Sequence, residues 1–317
     1  MGNNLSVISQ PIFLVGAERS GTTLLRLMLD HHSNIAFHGE FEFVVDYFRG
    51  DNYPLLDDYY EHLAIDRLFQ SSDFEIDHNL SYPQLVNSFL VQKRENTGKY
   101  LVGATVHRHF DRLLQIWPDA KFIHIVRDGR DVAQSCIKMN WAGNIWTASD
   151  RWIEVEQLWS QLKTTISPDR YIEIRYENLI TQPEATLTDL CNFMGTNYDP
   201  TMLSYSQTTT YDLPDPKLLF QWKRKLSRRE IQLIEAKIGN LLIKYDYELS
   251  DFPPLTLNYA IKQALKLHNK LALIQGRIKI YGLPLILSSF LSKLLELRQW
   301  QKNIQLQFNN IDTARLK

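Results

Sequence analysis

The feature that most constrains the fold is a short apolar run that ends at a glycine-containing loop and leads into a helical pattern. Residues 12–15 are apolar, Gly16 follows them, and Gly21 stands just before Thr22, where leucines recur with helical spacing. A strand, a tight loop and a helix in this order bring the unpaired N–H groups of the helix start around one point. These amides and the helix dipole stabilise a phosphate or sulfate, so the sequence predicts an anion-binding loop over residues 16–25.

The side chains of this loop favour an anion as well. Arg19 contributes a full positive charge, and the hydroxyls of Thr22 and Thr23 contribute further hydrogen-bond donors. The loop differs from the nucleoside-triphosphatase pattern, because Arg-Ser-Gly-Thr-Thr stands where that pattern has Gly-Lys followed by Ser or Thr. It is therefore not a Walker A loop, and a strand-to-helix turn without a ligand is the alternative interpretation.

A second anion site is predicted about a hundred residues later. The apolar run 121–126 ends at Arg127, and Ser135 follows eight positions on, within the next helical pattern. One cation and one hydroxyl at this spacing can hold a phosphate. A metal-dependent kinase would place an acidic Mg²⁺ ligand at such a strand end. Here the strand ends in Arg127, with Asp128 one position later, so the site favours an anion over a metal.

The alternation of strands and helices predicts the fold class. A third strand is predicted over 171–176, and the helix predicted over 183–194 ends at Gly195. Strands alternating with helices indicate a parallel sheet, so we expect a three-layer α/β fold whose ligand binds at the carboxyl ends of the strands. The length of 317 residues and the 44% hydrophobic content suit one such domain with extensions.

Composition excludes several classes of protein. Cys136 and Cys191 are too few for a disulfide framework, and we interpret them as small buried hydrophobic residues. The amino terminus lacks a signal-peptide pattern, and no stretch reaches the roughly 18 uninterrupted apolar residues of a membrane span. We therefore expect a soluble protein in the reducing cytoplasm.

The nine histidines do not form a recognisable metal-binding pattern. His31 and His32 are adjacent, and His107 and His109 have no companion cysteine or carboxylate at ligand spacing. We expect no metal cofactor and no nucleic-acid partner.

The residues of the first loop carry a resemblance to a known family. The string Pro-Ile-Phe-Leu-Val-Gly-Ala-Glu-Arg-Ser-Gly-Thr-Thr-Leu-Leu-Arg resembles the 5′-phosphosulfate loop of sulfotransferases that depend on 3′-phosphoadenosine-5′-phosphosulfate (PAPS), and it is closest to the tyrosylprotein and bacterial types. The resemblance covers about residues 10–250. It implies the sulfotransferase version of the P-loop fold, a sulfotransferase domain over 10–252, and PAPS as the donor, with 3′-phosphoadenosine-5′-phosphate (PAP) as the product.

The resemblance also implies which residues contact the nucleotide. Arg127 and Ser135 match the pair that holds the 3′-phosphate, Tyr176 matches an adenine-side aromatic, and Trp222-Lys-Arg-Lys resembles a late basic segment that covers the nucleotide. Tyr176 as a core residue and Trp222 as a surface anchor are the alternatives. The complete set implied by the resemblance is Arg19, Ser20, Gly21, Thr22, Thr23, Leu24, Arg127, Ser135, Tyr176 and Lys223.

Three residues are implied in catalysis. Glu40 follows the first helix at the distance that matches the tyrosylprotein sulfotransferase base, so the resemblance implies in-line transfer with Glu40 accepting the acceptor's proton. Arg19 is expected to stabilise charge on the departing nucleotide. His107 is the competing base, because residues 105–107 lie about where cytosolic sulfotransferases place Lys-Thr-His; a structural role for His107 is the other interpretation.

Two departures from the family pattern affect the expected acceptor and activity. Residues 103–105 are Gly-Ala-Thr, where bacterial and tyrosylprotein types carry a lysine, and residues 41–43 are Phe-Glu-Phe, where tyrosylprotein enzymes are basic. The second departure argues against a protein tyrosine acceptor and leaves a carbohydrate, lipid or small-molecule hydroxyl. The first keeps a non-catalytic protein that binds PAP as an alternative, beside a metal-dependent P-loop phosphotransferase.

The last 65 residues lie outside the resemblance and differ electrostatically from the rest. Residues 254–317 carry seven Lys, three Arg and two acidic residues, which is a net charge of +8 in a chain whose net charge is −1. Lys262, Lys266 and Lys270 are four apart, as on one face of a helix. We predict a basic helical extension over 253–317. It packs on the domain with a solvated lysine face, or it makes peripheral contact with a membrane.

Overall fold

The centre of the protein is a five-stranded parallel sheet. The computed structural model describes residues 7–316. The strands are β1 (Ile12–Val15), β2 (Ile35–Glu40), β3 (Leu101–Val106), β4 (Lys121–Val126) and β5 (Tyr171–Arg175), in the order β2-β3-β1-β4-β5. All four neighbouring pairs are parallel, so each strand must be followed by a crossover that returns the chain to the same edge.

Helices supply these crossovers. They are α1 (Thr22–His31), α2 (Leu56–Leu63), α3 (Arg67–Gln70), α4 (Tyr82–Thr97), α5 (Leu113–Ile116), α6 (Gly129–Lys138), α7 (Ile145–Ala148), α8 (Asp150–Leu162), α9 (Tyr176–Thr181), α10 (Pro183–Met194), α11 (Trp222–Lys225), α12 (Arg228–Lys244), α13 (Tyr259–Tyr281), α14 (Leu283–Leu294) and α15 (Arg298–Leu316). Short 3₁₀ segments span Glu42–Val44, Phe110–Arg112, Pro168–Arg170, Pro200–Gln207 and Pro216–Leu218.

Apolar side chains fill both faces of the sheet. Successive residues of a strand point to opposite faces, so Phe13 and Val15 of β1 pack into one core while Ile12 and Leu14 pack into the other. The first core includes residues of α4, α6, α8 and α12, and the second includes residues of α1, α9 and α10. The sheet therefore lies between two helical layers, which confirms the predicted three-layer α/β fold.

The sequence analysis did not predict strands β2 and β3. β2 has no clean alternation of apolar and polar residues, and β3 contains Gly103 where a side chain would be expected. A Cβ at Gly103 would lie 2.3 Å from the carbonyl oxygen of Ile12 and 2.4 Å from the Phe37 ring, so the glycine is what allows three strands to meet there. The boundary predicted at Tyr176 was also wrong, because β5 ends at Arg175 and Tyr176 begins α9.

The carboxyl-terminal region is helical, as expected. A bend of 110° at Gly282 separates α13 from α14. Among residues 7–316 no single helix is long and apolar enough to cross a membrane; α13 and α14 meet that test of length and composition only as a bent pair. The domain limits 10–252 and 253–317 stay a prediction. Cys136 and Cys191 are both buried and free.

Candidate functional site

The loop between β1 and α1 has a backbone that few residues tolerate. Gly21 immediately precedes α1 with φ 93°, and no side chain caps this helix end. A Cβ at Gly21 would lie 2.3 Å from Cδ2 of Tyr176, so the tyrosine ring is packed directly on the loop. Arg19 also has positive φ, 73°, an uncommon conformation for a residue with a side chain. The helix start thus keeps its amides available, and the curled backbone carries a cation beside them.

The two predicted anion sites meet through Arg19. Its Nε donates to Oγ of Ser135 at 2.9 Å, although the two residues are 116 positions apart. Nη1 of Arg127 donates to the carbonyl oxygen of Arg19 at 3.1 Å, and the Arg127 guanidinium lies 4.4 Å from the centroid of the Tyr176 ring. The loop after β1 and the start of α6 therefore form one cationic cluster at the carboxyl ends of adjacent strands.

This cluster forms part of a cavity of about 740 Å³, which we call the donor cavity. It is lined by Arg19, Gly21, Thr22, Thr23, Leu24, Arg127, Asp131, Gln134, Ser135, Lys138, Tyr176, Ile180, Thr210, Tyr211, Asp212, Leu213, Pro214, Asp215, Leu218 and Gln221. All the predicted nucleotide contacts are in this lining except Ser20 and Lys223. Ser20 is fully buried, and its Oγ has no hydrogen-bond partner. Lys223 is exposed, and its ammonium lies 5.5 Å from the Trp222 ring centroid.

Trp222 is a buried anchor. Its Nε1 donates to Oδ2 of Asp128 at 2.9 Å, and the Arg130 guanidinium stacks 3.6 Å from its ring centroid. The Trp222 backbone N–H donates to Oδ1 of Asp131 at 2.8 Å. These bonds tie α11 to α6, so Trp222 holds the wall of the donor cavity in place, whereas Lys223 does not line that cavity.

A second cavity of about 450 Å³, the acceptor cavity, lies on the other side of Arg19. It is lined by Glu18, Arg19, Glu40, Glu42, Tyr47, Ile65, Asp66, Arg67, Leu68, His107, Arg108, Trp141, Gln305 and Asn309. Arg19 lines both cavities, and both predicted bases, Glu40 and His107, line only this one. A group bound near Arg19 in the donor cavity is thus next to the two candidate proton acceptors.

Glu40 is the last residue of β2. Its Oε2 lies 3.7 Å from Nη2 of Arg67, and its side chain is 46% exposed, so it is open to a molecule in the acceptor cavity. Partial desolvation, and then the negative charge of Glu42, raise the pKa of Glu40 above its ordinary value. A carboxylate with a raised pKa is a stronger base, as proton abstraction requires.

Glu42 and His107 form a buried ion pair, with side chains 1% and 5% exposed. One carboxylate oxygen of Glu42 accepts from both the backbone N–H of His107, at 2.9 Å, and its Nδ1, at 2.6 Å. Burial lowers the pKa of His107, but the charge and hydrogen bond of Glu42 outweigh it and raise the pKa overall. Burial opposes ionisation of Glu42 in turn, yet the paired His107 lowers the pKa of this carboxyl.

His107 of this pair also contacts the anion-binding loop. Nε2 of His107 lies 3.0 Å from Oγ1 of Thr22, the first residue of α1. When His107 is an imidazolium, Nδ1 donates to Glu42 and Nε2 donates to Thr22, so the Thr22 hydroxyl proton is free to bind an anion in the donor cavity. This imidazolium has no lone pair with which to accept a proton.

Sequence reasoning did not find several of these residues. Glu42 had a signal, since it is the second carboxylate of a Glu-x-Glu pattern whose first member was already a candidate. Arg67 and Tyr211 had none, because only the packing of distant segments brings them to the cavities. Within the described part of the chain, no group of three or more His, Cys, Asp or Glu residues is arranged to hold a metal ion.

Several curated relatives of the chain are named sulfotransferases. A putative protein-tyrosine sulfotransferase of Caenorhabditis briggsae is 27% identical over 223 residues, which are 64% of this chain and 71% of the relative. Protein-tyrosine sulfotransferase 1 of Danio rerio is 27% identical over 294 residues, 81% of this chain and 77% of the relative. The omega-hydroxy-beta-dihydromenaquinone-9 sulfotransferase of Mycobacterium tuberculosis is 25% identical, covering 47% of this chain and 41% of the relative.

Solved structures and a family model agree with these relatives. The sulfotransferase domain of the curacin biosynthetic pathway superimposes with a TM-score of 0.57 at 20% identity, covering 77% of this chain and all of that domain. The sulfotransferase domain of the Synechococcus PCC 7002 olefin synthase superimposes with a TM-score of 0.52 at 21% identity, covering 79% of this chain and all of that domain. The model of the sulfotransferase family matches residues 11–200, which are more than half of the chain. The protein belongs to the sulfotransferase family.

Proposed function

We propose that the protein transfers a sulfuryl group from PAPS to a hydroxyl of a carbohydrate, lipid or small molecule, with Glu40 as the base. The observation that carries this proposal is the position of Arg19, which lines both cavities and hydrogen-bonds Ser135. In an in-line transfer, the acceptor's attacking oxygen and the donor's leaving oxygen lie on opposite sides of the sulfur atom. A cation at the junction of the two cavities would therefore lie beside the bond that breaks.

The donor cavity supports a nucleotide with separate anionic groups. The amides at the start of α1, with Arg19, Thr22 and Thr23, suit the 5′-phosphosulfate. Arg127 and Ser135 suit the 3′-phosphate, since both line the cavity and Nε of Arg127 is buried without a partner.

The proposed reaction is a single displacement. The acceptor oxygen forms a bond to sulfur as the bond between sulfur and the bridging phosphate oxygen breaks, and the acceptor's proton passes to the Glu40 carboxylate. PAP leaves with the bonding electrons, and Arg19 and the loop amides stabilise the charge that develops on it. Holding donor and acceptor in adjoining cavities supplies the required proximity.

The contacts of His107 support Glu40 as the base. His107 is committed on both ring nitrogens, to Glu42 and to Thr22, and its raised pKa favours the imidazolium. Among the described residues, Glu40 forms one ion pair, at 3.7 Å with Arg67, and it lines the cavity. We assign His107 the role of a positioning residue that orients Thr22.

The acceptor cavity bears on the acceptor class. Its lining sets the carboxylates of Glu18, Glu40, Glu42 and Asp66 against the basic residues Arg19, Arg67, Arg108 and His107. The cavity therefore has no excess of cations to bind an acidic peptide, which supports a hydroxyl outside a protein tyrosine even though two relatives are named protein-tyrosine sulfotransferases. The relative named for a dihydromenaquinone shows that lipid-like acceptors occur among similar proteins.

The first test is calorimetric titration with PAP and with ATP, each with Mg²⁺ and with EDTA. We expect micromolar PAP binding that survives EDTA, with weaker ATP binding. ATP binding that requires metal, without PAP binding, would instead assign a metal-dependent phosphotransferase. PAP binding without sulfate transfer to any member of an alcohol, sugar and lipid panel would assign a non-catalytic nucleotide-binding protein.

A further inference from the structure

Helix α13 turns a stripe of large apolar residues to solvent. On its other side, which packs on the domain, Leu265 and Ile280 are half-buried, the Asn269 side chain accepts from the Gly143 backbone N–H at 2.7 Å, and a Cβ at Gly276 would collide with the Asn140 side chain. The opposite side carries large exposed apolar residues spaced four, three and four apart, namely Leu267, Leu271, Ile274 and Ile278. A surface helix ordinarily buries such a stripe, so this helix is built for a second apolar environment.

Helix α14 also exposes large apolar residues. Its buried residues are Ser289 and Ser292, and Oγ of Ser292 donates to the Ser289 carbonyl oxygen at 3.0 Å. Its exposed apolar residues are Leu283, Leu287, Phe290, Leu291 and Leu294, of which Phe290 is 64% exposed. Two successive helices that expose leucines form a surface that water alone does not stabilise.

Charge decides between the partners that could cover this surface. Residues 254–317 carry a net charge of +8, and the cations on α13 and α14 are exposed: Lys262, Lys266, Lys270, Arg277, Lys279 and Lys293. A second copy of the chain would bring the same cations against them. An anionic lipid surface complements them, each exposed cation near it contributing about 1 kcal/mol.

A third cavity of about 730 Å³ connects this surface with the site. It shares Arg67, Trp141 and Gln305 with the acceptor cavity. Its other end is formed by α13, where Ile274 of the exposed stripe and Lys270 line it. The lining combines apolar residues with five cations, so an amphipathic molecule with an apolar chain and a polar end could lie between the exposed stripe and the cavity that holds Glu40.

We propose that α13 and α14 dock the protein on an anionic bilayer and that the acceptor is a lipid-borne hydroxyl, which reaches Glu40 through the third cavity. The acceptor part of this proposal rests on the proposed sulfotransfer; the docking part does not.

The docking part is tested by flotation of the full chain with vesicles of phosphatidylcholine alone or with 30% phosphatidylglycerol, about one anionic lipid in three. We expect binding to the anionic vesicles that weakens with salt. The matched variant combines Leu267→Gln with Leu271→Gln, two residues that are 59% and 60% exposed. It removes apolar contact with the bilayer without changing the charge, so the bound fraction should fall at least tenfold. Leu55→Gln with Tyr100→Gln alters apolar residues of similar or greater exposure elsewhere and should leave binding unchanged.

Two results would contradict the docking. Absence of flotation in a protein that still binds PAP would overturn the docking while leaving the nucleotide site intact. Dimers in sedimentation that disappear in the Leu267/Leu271 variant would assign the stripe to a second copy of the chain and also overturn it.

The acceptor part is tested with a series of straight-chain primary alcohols from butanol to octanol and labelled PAPS. Burial of each added methylene should raise kcat/KM about three- to fourfold, and Ile274→Gln should flatten this dependence without changing PAP affinity. Transfer that is equally efficient for all chain lengths would overturn the lipid acceptor. Absence of transfer to every alcohol, together with absence of PAP binding, would instead reject the proposed function.

Discussion

The donor and acceptor cavities share Arg19 but are built in opposite ways. The donor cavity takes Arg19, Arg127 and Ser135 from two continuous motifs, the loop before α1 and the segment that leads into α6. The acceptor cavity takes its charged residues from the ends of β2 and β3 and from α3, and its amides from α15, and these segments are far apart in the sequence. A ligand with fixed phosphate groups can be bound by local backbone and a few side chains, whereas positioning a base against a variable acceptor requires several segments.

The two cavities also differ in which charged groups lie near Arg19. Arg127 joins Arg19 at the anion-binding loop in the donor cavity, whereas Glu40 and Glu42 lie in the acceptor cavity. In the proposed function, the first group binds the anionic donor, and the second removes a proton from the acceptor hydroxyl. Substitutions on the two sides should therefore separate binding from turnover.

The largest expected effect is on turnover, from Glu40→Gln. Loss of a positioned base should lower kcat about 10²–10⁴-fold, while PAP affinity measured by calorimetry stays unchanged. In the wild type, kcat should rise with pH through the raised pKa of Glu40, since only the ionised carboxylate accepts a proton. Glu95→Gln, at an exposed carboxylate outside both cavities, is the control. Normal turnover in Glu40→Gln would move the base to His107.

The next effect is on stability, from Glu42→Gln. Removing one member of a buried ion pair leaves the other uncompensated and should lower the free energy of unfolding by about 3–5 kcal/mol. His107→Gln should do likewise, and the double variant should lose less than the sum of the two. Urea denaturation of the three variants measures this coupling, and additive losses would show that the pair does not stabilise the fold.

The pH dependence of this stability follows from the two pKa shifts. The pKa of Glu42 is lowered from 4.5, so its contribution is complete above that value and is lost as pH falls through the folded-state pKa. The pKa of His107 is raised from 6.5, so its contribution is complete below 6.5 and is lost as pH rises through the folded-state pKa. The difference in unfolding free energy between wild type and Glu42→Gln should be greatest between pH 4.5 and 6.5.

A smaller effect is expected on nucleotide affinity, from Arg127→Ala. Hydrogen bonds to a charged group contribute about 1.5–3 kcal/mol, so the Kd for PAP should rise about 10–150-fold. Arg127→Lys keeps the positive charge but lacks the planar guanidinium, so its Kd for PAP should lie between those of the wild type and Arg127→Ala. Calorimetry measures all three proteins, with circular dichroism to verify folding. Unchanged affinity in a folded Arg127→Ala protein would remove Arg127 from the phosphate site.

The smallest effect is expected from Lys223→Ala. The resemblance implies that this residue covers the nucleotide, yet its side chain is exposed and does not line the donor cavity. A surface substitution of this kind changes free energies by at most about 0.5 kcal/mol, so the Kd for PAP should change little more than twofold. A tenfold loss of affinity in the same calorimetric assay would restore Lys223 to the binding site.

The sequence by itself determined the elements whose signals are local. The strand before Gly16, the helix start at Thr22 and the position of Arg127 just before the helix that carries Ser135 all follow from short motifs, because an anion site at a helix start needs only neighbouring residues. The exposed lysines of α13 could be predicted for the same reason, since helical spacing alone places them on one face.

Only the tertiary structure decided which residues share a cavity and which face of a helix meets the domain. Glu42 pairs with His107 across 65 positions, and Arg67 reaches Glu40, through the packing of the segments that carry them. The exposure of the α13 stripe was equally hidden, because an apolar stripe at helical spacing predicts burial, whereas this helix packs on the domain through its opposite side, where Gly276 meets Asn140. Side-chain contacts depend on how elements pack, and the spacing of residues along the chain does not contain that information.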